Sequence, residues 1–277
     1  MKKTRSTFLL IAILIIGLVL LLYPTLSNRW NQHHQSQAIV DYKSAMQNMM
    51  HADYSAILSE AQAYNQQLHS LSYPLMNHTQ IKNYASVLNV SGTGIMGYLT
   101  IPKLDVELPI YHGTDESVLQ MAVGHLEGTS LPIGGIGNHS VLSAHCGLPR
   151  ARLFTDLDKL ERGDSFSITV LDRLLTYQVD QILIVDPREV DALYPVEDKD
   201  YCTLLTCTPY GINSHRLLVR GCRIDTPTIS SQPSVTADAV RLDPKSGALI
   251  LASPILAATL IAILLPSSPK KRRCFYG

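Results

Sequence analysis

Thr203-Leu204-Leu205-Thr206-Cys207-Thr208-Pro209-Tyr210-Gly211 is an apolar run that ends at a cysteine and breaks at once on a Pro-x-Gly turn. The chain then returns as Ser214-His215-Arg216-Leu217-Leu218-Val219-Arg220. Two such runs joined by a short turn predict a pair of strands. If they pair antiparallel, Arg216 comes near Cys207. That sets a thiol at the lip of a strand beside a guanidinium, which can favour the thiolate or hold a developing oxyanion. A second strand end, Ser143-Ala144-His145-Cys146-Gly147-Leu148-Pro149, offers the missing acid/base: a histidine at the edge of a Gly/Pro turn. Histidine is the usual proton carrier near neutral pH. A Cys, a His and an Arg are by themselves more often structural than catalytic.

The same texture extends on both sides of this segment. Strands are predicted at about Gly97–Ile101, Val106–Tyr111, Ser140–Ala144, Ser165–Leu171, Thr176–Val185, Tyr201–Thr206 and Arg216–Ile224, with helices at about Glu116–Val123 and Leu153–Leu160. Closely spaced short strands favour an antiparallel barrel or sandwich over a parallel α/β sheet. Upstream, residues 24–94 read as mostly helical. Gln35–Leu71 lacks Gly and Pro, and Ile39, Tyr42, Met46, Met49 and Met50 recur at helical spacing. Pro74 breaks the pattern, a short helix is predicted at about Thr79–Leu88, and Ser91-Gly92-Thr93-Gly94 marks a boundary. Residues 226–246, polar with Pro and Ser, suit a linker.

Two charge-free apolar runs lie at the ends, about Thr7–Tyr23 and Gly247–Leu265. Each approaches the ~20 residues that a membrane-spanning helix needs. A cleaved signal peptide is the other reading of the first run, but Tyr23-Pro24-Thr25-Leu26 follows it rather than a small-x-small cleavage site. Lys2, Lys3 and Arg5 flank one run, and Lys270, Lys271, Arg272 and Arg273 the other. Basic flanks are cytoplasmic, so both termini are expected inside and residues 24–246 outside. The chain then divides into a tail and anchor (1–23), a helical region (24–94), a catalytic β-domain (95–225), a linker (226–246), a second anchor (247–265) and a basic tail (266–277).

All 23 Asp+Glu lie between the anchors with 16 of the 23 Lys+Arg, a net −7. That balance argues against holding nucleic acid or an anionic lipid surface through bulk charge. Four of the five cysteines (Cys146, Cys202, Cys207, Cys222) lie outside and Cys274 lies inside. Four cysteines in a domain of this size make no disulfide framework, and no Cys-x-x-Cys pair suggests structural zinc. Cys202 and Cys222 can face each other on the paired strands or stand as separate core thiols, the second being favoured.

More specific are Leu108-Pro109-Ile110-Tyr111-His112-Gly113-Thr114, Gly124-His125-Leu126-Glu127-Gly128-Thr129-Ser130-Leu131-Pro132, and Thr203 through Gly221. Over roughly Ile95–Ile224 the chain resembles the sortase family, and within it class C, the pilin-polymerising sortases. The resemblance implies a mainly β fold: a closed eight-stranded sortase-type β-barrel with short helices, preceded by an α-helical N-terminal segment and flanked by two transmembrane helices. It implies Cys207 as nucleophile, His145 as acid/base and Arg216 as transition-state stabiliser, with no metal or organic cofactor. The substrates it implies are pilins or surface proteins ending in a Leu-Pro-x-Thr-Gly-type signal, and the acceptor is a lysine amine of another pilin. Membrane lipid is met through the two anchors.

Two positions depart from the class pattern. Class C members usually have Gly before the catalytic His and Arg after it, where this chain has Ala144 and Cys146. The usual Asp-Pro-aromatic lid motif is replaced by Ser72-Tyr73-Pro74-Leu75, so Tyr73 and Pro74 are the candidate lid residues. His112, His125 and His139 are expected to make structural hydrogen bonds. Two alternatives remain open: a sortase that anchors proteins to peptidoglycan, and a sorted adhesin. The adhesin reading rests on the C-terminal apolar run with its basic tail and on Leu242-Asp243-Pro244-Lys245-Ser246-Gly247, where Asp243 spoils the Leu-Pro step.

Overall fold

A computed structural model describes residues 2–47, 49 and 51–225. The linker, second anchor and basic tail lie outside the described residues. Helix α1 (Lys2–Gln47) continues through Pro24, and its part Ile11–Gln47 contains a stretch of 18 residues with mean hydropathy 2.1, long and apolar enough to cross a membrane. Its Ile13, Ile16, Val19 and Leu20 are all exposed. Helix α2 (His51–Ser70) buries Tyr54, Leu58, Ala61, Tyr64 and Leu68, a stripe at three- and four-residue steps that joins the main core. Tyr42, on α1, is buried; its hydroxyl donates to Met96 O (3.1 Å) and accepts from Leu171 N (2.9 Å). Burial pushes its pKa up to about 12, so it remains a donor.

Eight strands close into a barrel in the order β1-β2-β3-β4-β7-β8-β6-β5. They are β1 (Ile95–Ile101), β2 (Val106–His112), β3 (Val123–His125), β4 (His139–Ser143), β5 (Ser165–Val170), β6 (Arg173–Val185), β7 (Tyr201–Thr208) and β8 (His215–Ile224). Closure leaves no open sheet edge. The interior holds Leu99, Ile110, Leu142, Phe166, Ile168, Leu204 and Val219. Phe166 stacks on Tyr177 at 5.7 Å, and the Phe166 ring and the Tyr177 Cβ press on Gly221. A Cβ at Gly221 would stand 2.8 Å from Phe166, so only glycine fits beneath the pair.

Most pairings are antiparallel, as the short-strand texture predicts, but β2–β3 and β4–β7 are parallel. β3, which the sequence pattern does not predict, is the short piece that makes the first of these possible. The helix predicted at Glu116–Val123 is one turn, α4 (Glu116–Leu119); a turn follows at 120–122, and Val123 already opens β3. The helix predicted at Leu153–Leu160 is only a 3-10 turn at Leu157–Lys159, preceded by Leu153 at φ 39°. The helix predicted at Thr79–Leu88 is a 3-10 turn at His78–Gln80 followed by turns. Pro74 does not merely break the preceding helix; it opens another, α3 (Pro74–Asn77), where its missing N–H costs nothing.

Candidate active site

β7 and β8 pair in register, with Cys207 opposite Arg216, Leu205 opposite Leu218 and Thr203 opposite Arg220. Successive side chains alternate across a sheet. Cys202 and Leu204 belong to the core, so Cys207, Leu205 and Thr203 point outward, with Arg216, Leu218 and Arg220 beside them. Cys207 is half-buried with a free thiol. β6 adds Val185 opposite Arg216 and Leu183 opposite Leu218.

His145 reaches this face from the other side. β4 runs parallel to β7, with Ser143 level with Leu205. Just past β4, Ala144 N donates to Leu205 O (3.2 Å) and Thr206 Oγ1 donates to Ala144 O (2.7 Å). Carrying that register one pair further on the same face sets His145 level with Cys207. The ladders set Cys207, Arg216 and Val185 in one row of the barrel wall, and the extended register of β4 brings His145 to the end of that row. The turn beyond β4 is fixed by Gly147 (φ 81°), where a Cβ would lie 2.7 Å from the Tyr210 ring. A side chain there would push away the β7–β8 turn.

Arg216 donates from one terminal nitrogen to Asn213 O (3.2 Å) and His215 O (3.1 Å), so the guanidinium folds over its own turn. Arg220, four residues on and on the same face, is committed elsewhere. It grips Asp180 with two nitrogens (3.1 and 2.7 Å) and lies 4.1 Å from the Tyr201 ring centroid.

Next to this row the outward strand faces carry an apolar trough, in which Val141, Leu193 and Leu218 are buried and Leu126, Leu183, Val185, Ala192 and Leu205 pack against them. Leu75 of the N-terminal segment lies in it. The segment is seated by Gly128 (φ 85°), where a Cβ would come within 2.7 Å of Leu75 Cα and 2.8 Å of Pro74 O. His78 Nδ1 meets Glu127 Oε2 at 3.1 Å alongside. Pro74 is half-buried, whereas Tyr73 is 68% exposed at φ 55°. The side chain that enters the trough is therefore Leu75.

The other histidines make structural hydrogen bonds. His112 bridges Gly94 O (2.8 Å) and Val87 O (2.7 Å). His125 donates from Nε2 to Ser130 O (2.9 Å), and its Nδ1 pairs with Tyr84 Oη (2.9 Å). His139 pairs with Tyr194 O (3.1 Å) and Thr203 Oγ1 (2.7 Å). Burial pushes both His125 and His139 down to about 4, so both are neutral near pH 7. Cys202 lies opposite Gly221 and Cys222 opposite Tyr201, so the two thiols face opposite sides of the sheet and stay separate. Cys146 Sγ lies 3.9 Å from Thr155 O, and burial raises its pKa. Among the described residues, no group of three His, Cys, Asp or Glu could hold a metal ion.

One neighbour of the site carries no signal in the sequence. Glu116 Oε2 lies 3.3 Å from His145 Nε2, a pairing across 29 positions that only the folded barrel creates.

Comparison with known proteins identifies the family of the barrel. A family model for the sortase domain matches residues 99–224. Sortase D of Bacillus subtilis is 32% identical over 148 residues, covering 52% of this chain and 71% of that protein. Sortase A of Listeria monocytogenes is 27% identical over 211 residues, covering 75% and 84%. Among solved structures, sortase C1 of Streptococcus agalactiae is 48% identical, covers 69% of this chain and 99% of its own, and superposes with a TM-score of 0.64. Sortase C of Streptococcus pneumoniae, whose structure was described for its catalysis and pilin substrate specificity, is 44% identical, with 69% and 97% coverage and a TM-score of 0.63. With its barrel and its similarity to sortase D over most of that protein's length, the chain belongs to the sortase family of cysteine transpeptidases, and these solved neighbours are class C sortases.

Proposed function

We propose that this chain polymerises pilins. It cleaves Leu-Pro-x-Thr-Gly-type sorting signals between Thr and Gly and joins the new acyl group to a pilin lysine. The observation that carries this reading is the single outward row of His145, Cys207 and Arg216 at the end of an apolar trough. The trough accepts the apolar Leu-Pro end of the signal and presents the Thr carbonyl to Cys207. The Cys207 thiolate adds to that carbonyl carbon, and Arg216 swings from its turn to hold the oxyanion. As the C–N bond breaks, the His145 imidazolium gives its proton to the departing glycine nitrogen. The thioester is then attacked by a lysine amine. His145 takes the amine proton, an isopeptide bond forms and Cys207 leaves as thiolate.

The segment Tyr73-Pro74-Leu75 is the lid. It keeps the trough filled by Leu75 until substrate displaces it, and it does so without the acidic and aromatic side chains of the usual motif. Helix α1 anchors the chain in the membrane. The apolar run 247–265 is a second anchor, which leaves both termini cytoplasmic and the barrel outside. The division of the chain at residues 23, 94, 225, 246 and 265 follows from that layout.

The test is mass spectrometry of the detergent-solubilised full chain with a Leu-Pro-x-Thr-Gly peptide, with and without a lysine-bearing pilin domain. An adduct on Cys207 that passes to the pilin lysine is expected. Passage only to a wall-peptide amine would move the function to peptidoglycan anchoring. An adduct that survives Cys207→Ala would overturn the nucleophile assignment.

A further inference from the structure

Glu116 is held through both carboxylate oxygens. Oε2 lies 3.3 Å from His145 Nε2, and Oε1 accepts from Gln120 Nε2 at 2.8 Å, one helical turn on. The Gln120 bond first, and then the His145 bond, hold the Glu116 carboxyl below the usual carboxylate range; Arg150 is the other cation whose field reaches it. Glu116 is therefore an anion wherever a histidine exchanges protons. It is 67% exposed and His145 only 27%, so the contact forms the outer rim of the site and water reaches the carboxylate side. Glu116 comes from the β2–β3 connection and His145 from the end of β4. The pair thus ties two separate loops together at the site.

A carboxylate accepts hydrogen bonds and cannot donate them, so the Nε2 it faces must carry a proton. That leaves Nδ1 as the ring nitrogen free to exchange a proton elsewhere. We propose that Glu116 is a positioning residue for transpeptidation: it fixes the His145 ring through Nε2–H and leaves Nδ1 to serve Cys207 and the leaving amine. The Nε2 hydrogen stays in place throughout the cycle. The Nδ1 hydrogen passes to the glycine nitrogen as the C–N bond breaks and is replaced from the attacking lysine amine. Gln120 braces the carboxylate so that it does not swing into solvent. This role rests on His145 being the acid/base of the reaction.

The test uses the full chain in detergent with 15N-labelled histidine. Long-range 15N spectra read the His145 tautomer, assigned by its loss in His145→Asn, while peptide-cleavage kinetics are measured in parallel. The wild-type ring should be the Nε2–H tautomer when neutral. Glu116→Ala should give mixed tautomers and lower kcat about tenfold with KM changed less than about twofold. Glu116→Gln, which keeps an acceptor for Nε2–H, should keep the tautomer and most of kcat. Gln120→Ala should move kcat in the same direction by less. A wild-type ring already of mixed tautomer would overturn the proposal, as would a Glu116→Ala protein with unchanged kcat or a change in KM alone. A tautomer that responds to Glu116→Ala in a chain where His145→Asn stays fully active would instead sink the acid/base reading of His145.

Discussion

Replacing Leu75 by alanine should turn the enzyme up rather than down. Leu75 is half-buried in the trough of Val141, Leu205 and Leu218. Full burial of a leucine side chain is worth about 1.5–3 kcal/mol, so a half-buried one contributes about 1 kcal/mol to the closed lid. At 1.4 kcal/mol per decade, losing it raises the open-to-closed ratio about fivefold. Where the closed form predominates, peptide kcat/KM scales with the open fraction, so it should rise about fivefold with kcat at saturation unchanged. The assay is steady-state cleavage of a fluorogenic Leu-Pro-x-Thr-Gly peptide by the full chain in detergent. Tyr73→Ala is the comparison, because that ring is 68% exposed and lies outside the trough; its kcat/KM should change less than about twofold. Equal rates for Leu75→Ala and wild type would refute the trough-filling role. A gain for Tyr73→Ala as large as that for Leu75→Ala would mean that the aromatic ring, not the leucine, keeps the lid shut.

Arg216→Lys should lose about a hundredfold in kcat/KM with little change in melting temperature, since a point charge cannot reproduce the planar fork at an oxyanion; near-normal rates would remove the guanidinium from the mechanism. Stability should fall on acidification through the two buried neutral histidines. His125 and His139 sit at about 4 in the fold against 6.5 in the unfolded chain. The unfolded state therefore binds the extra protons, and the stabilisation present above pH 6.5 is lost as pH falls towards 4. Each should cost about 2 kcal/mol between pH 6.5 and about pH 5. Urea midpoints across that range would read it, and a flat profile would mean that the fold holds neither ring neutral.

The Cys207–Arg216 pair was legible because it is local. One turn joins the two strands, and a period of two places both side chains on one face. The central part of the barrel was legible for a similar reason: the predicted strand positions lie within a few residues of those observed. Less was readable where partners are distant. The parallel pairings β2–β3 and β4–β7 join strands through intervening elements, and β3 is too short to leave a pattern. His145 could be placed beside Cys207 only by resemblance, since its position depends on one of those parallel ladders. Glu116 read simply as the start of a helix, and Tyr73-Pro74 drew attention for its likeness to a motif while the neighbouring Leu75 makes the contact. Leu153–Leu160 shows why apolar spacing alone misleads: Leu153, Phe154, Leu157 and Leu160 are all buried, yet they pack from turns instead of a helix.

The last ladder pair between β7 and β8 is Thr208 with His215, one step beyond Cys207 and Arg216. The strand pairing that sets the reactive row lies below that pair, and Pro209–Ser214 lies above it, where Asn213 O accepts from Arg216 and Tyr210 packs on Gly147. Lengthening or exchanging those six residues leaves the pairing of nucleophile and guanidinium untouched, whereas a single insertion on either strand below would turn one of them into the barrel. The scaffold therefore separates a loop that lies outside the ladder from strands whose spacing admits no edit.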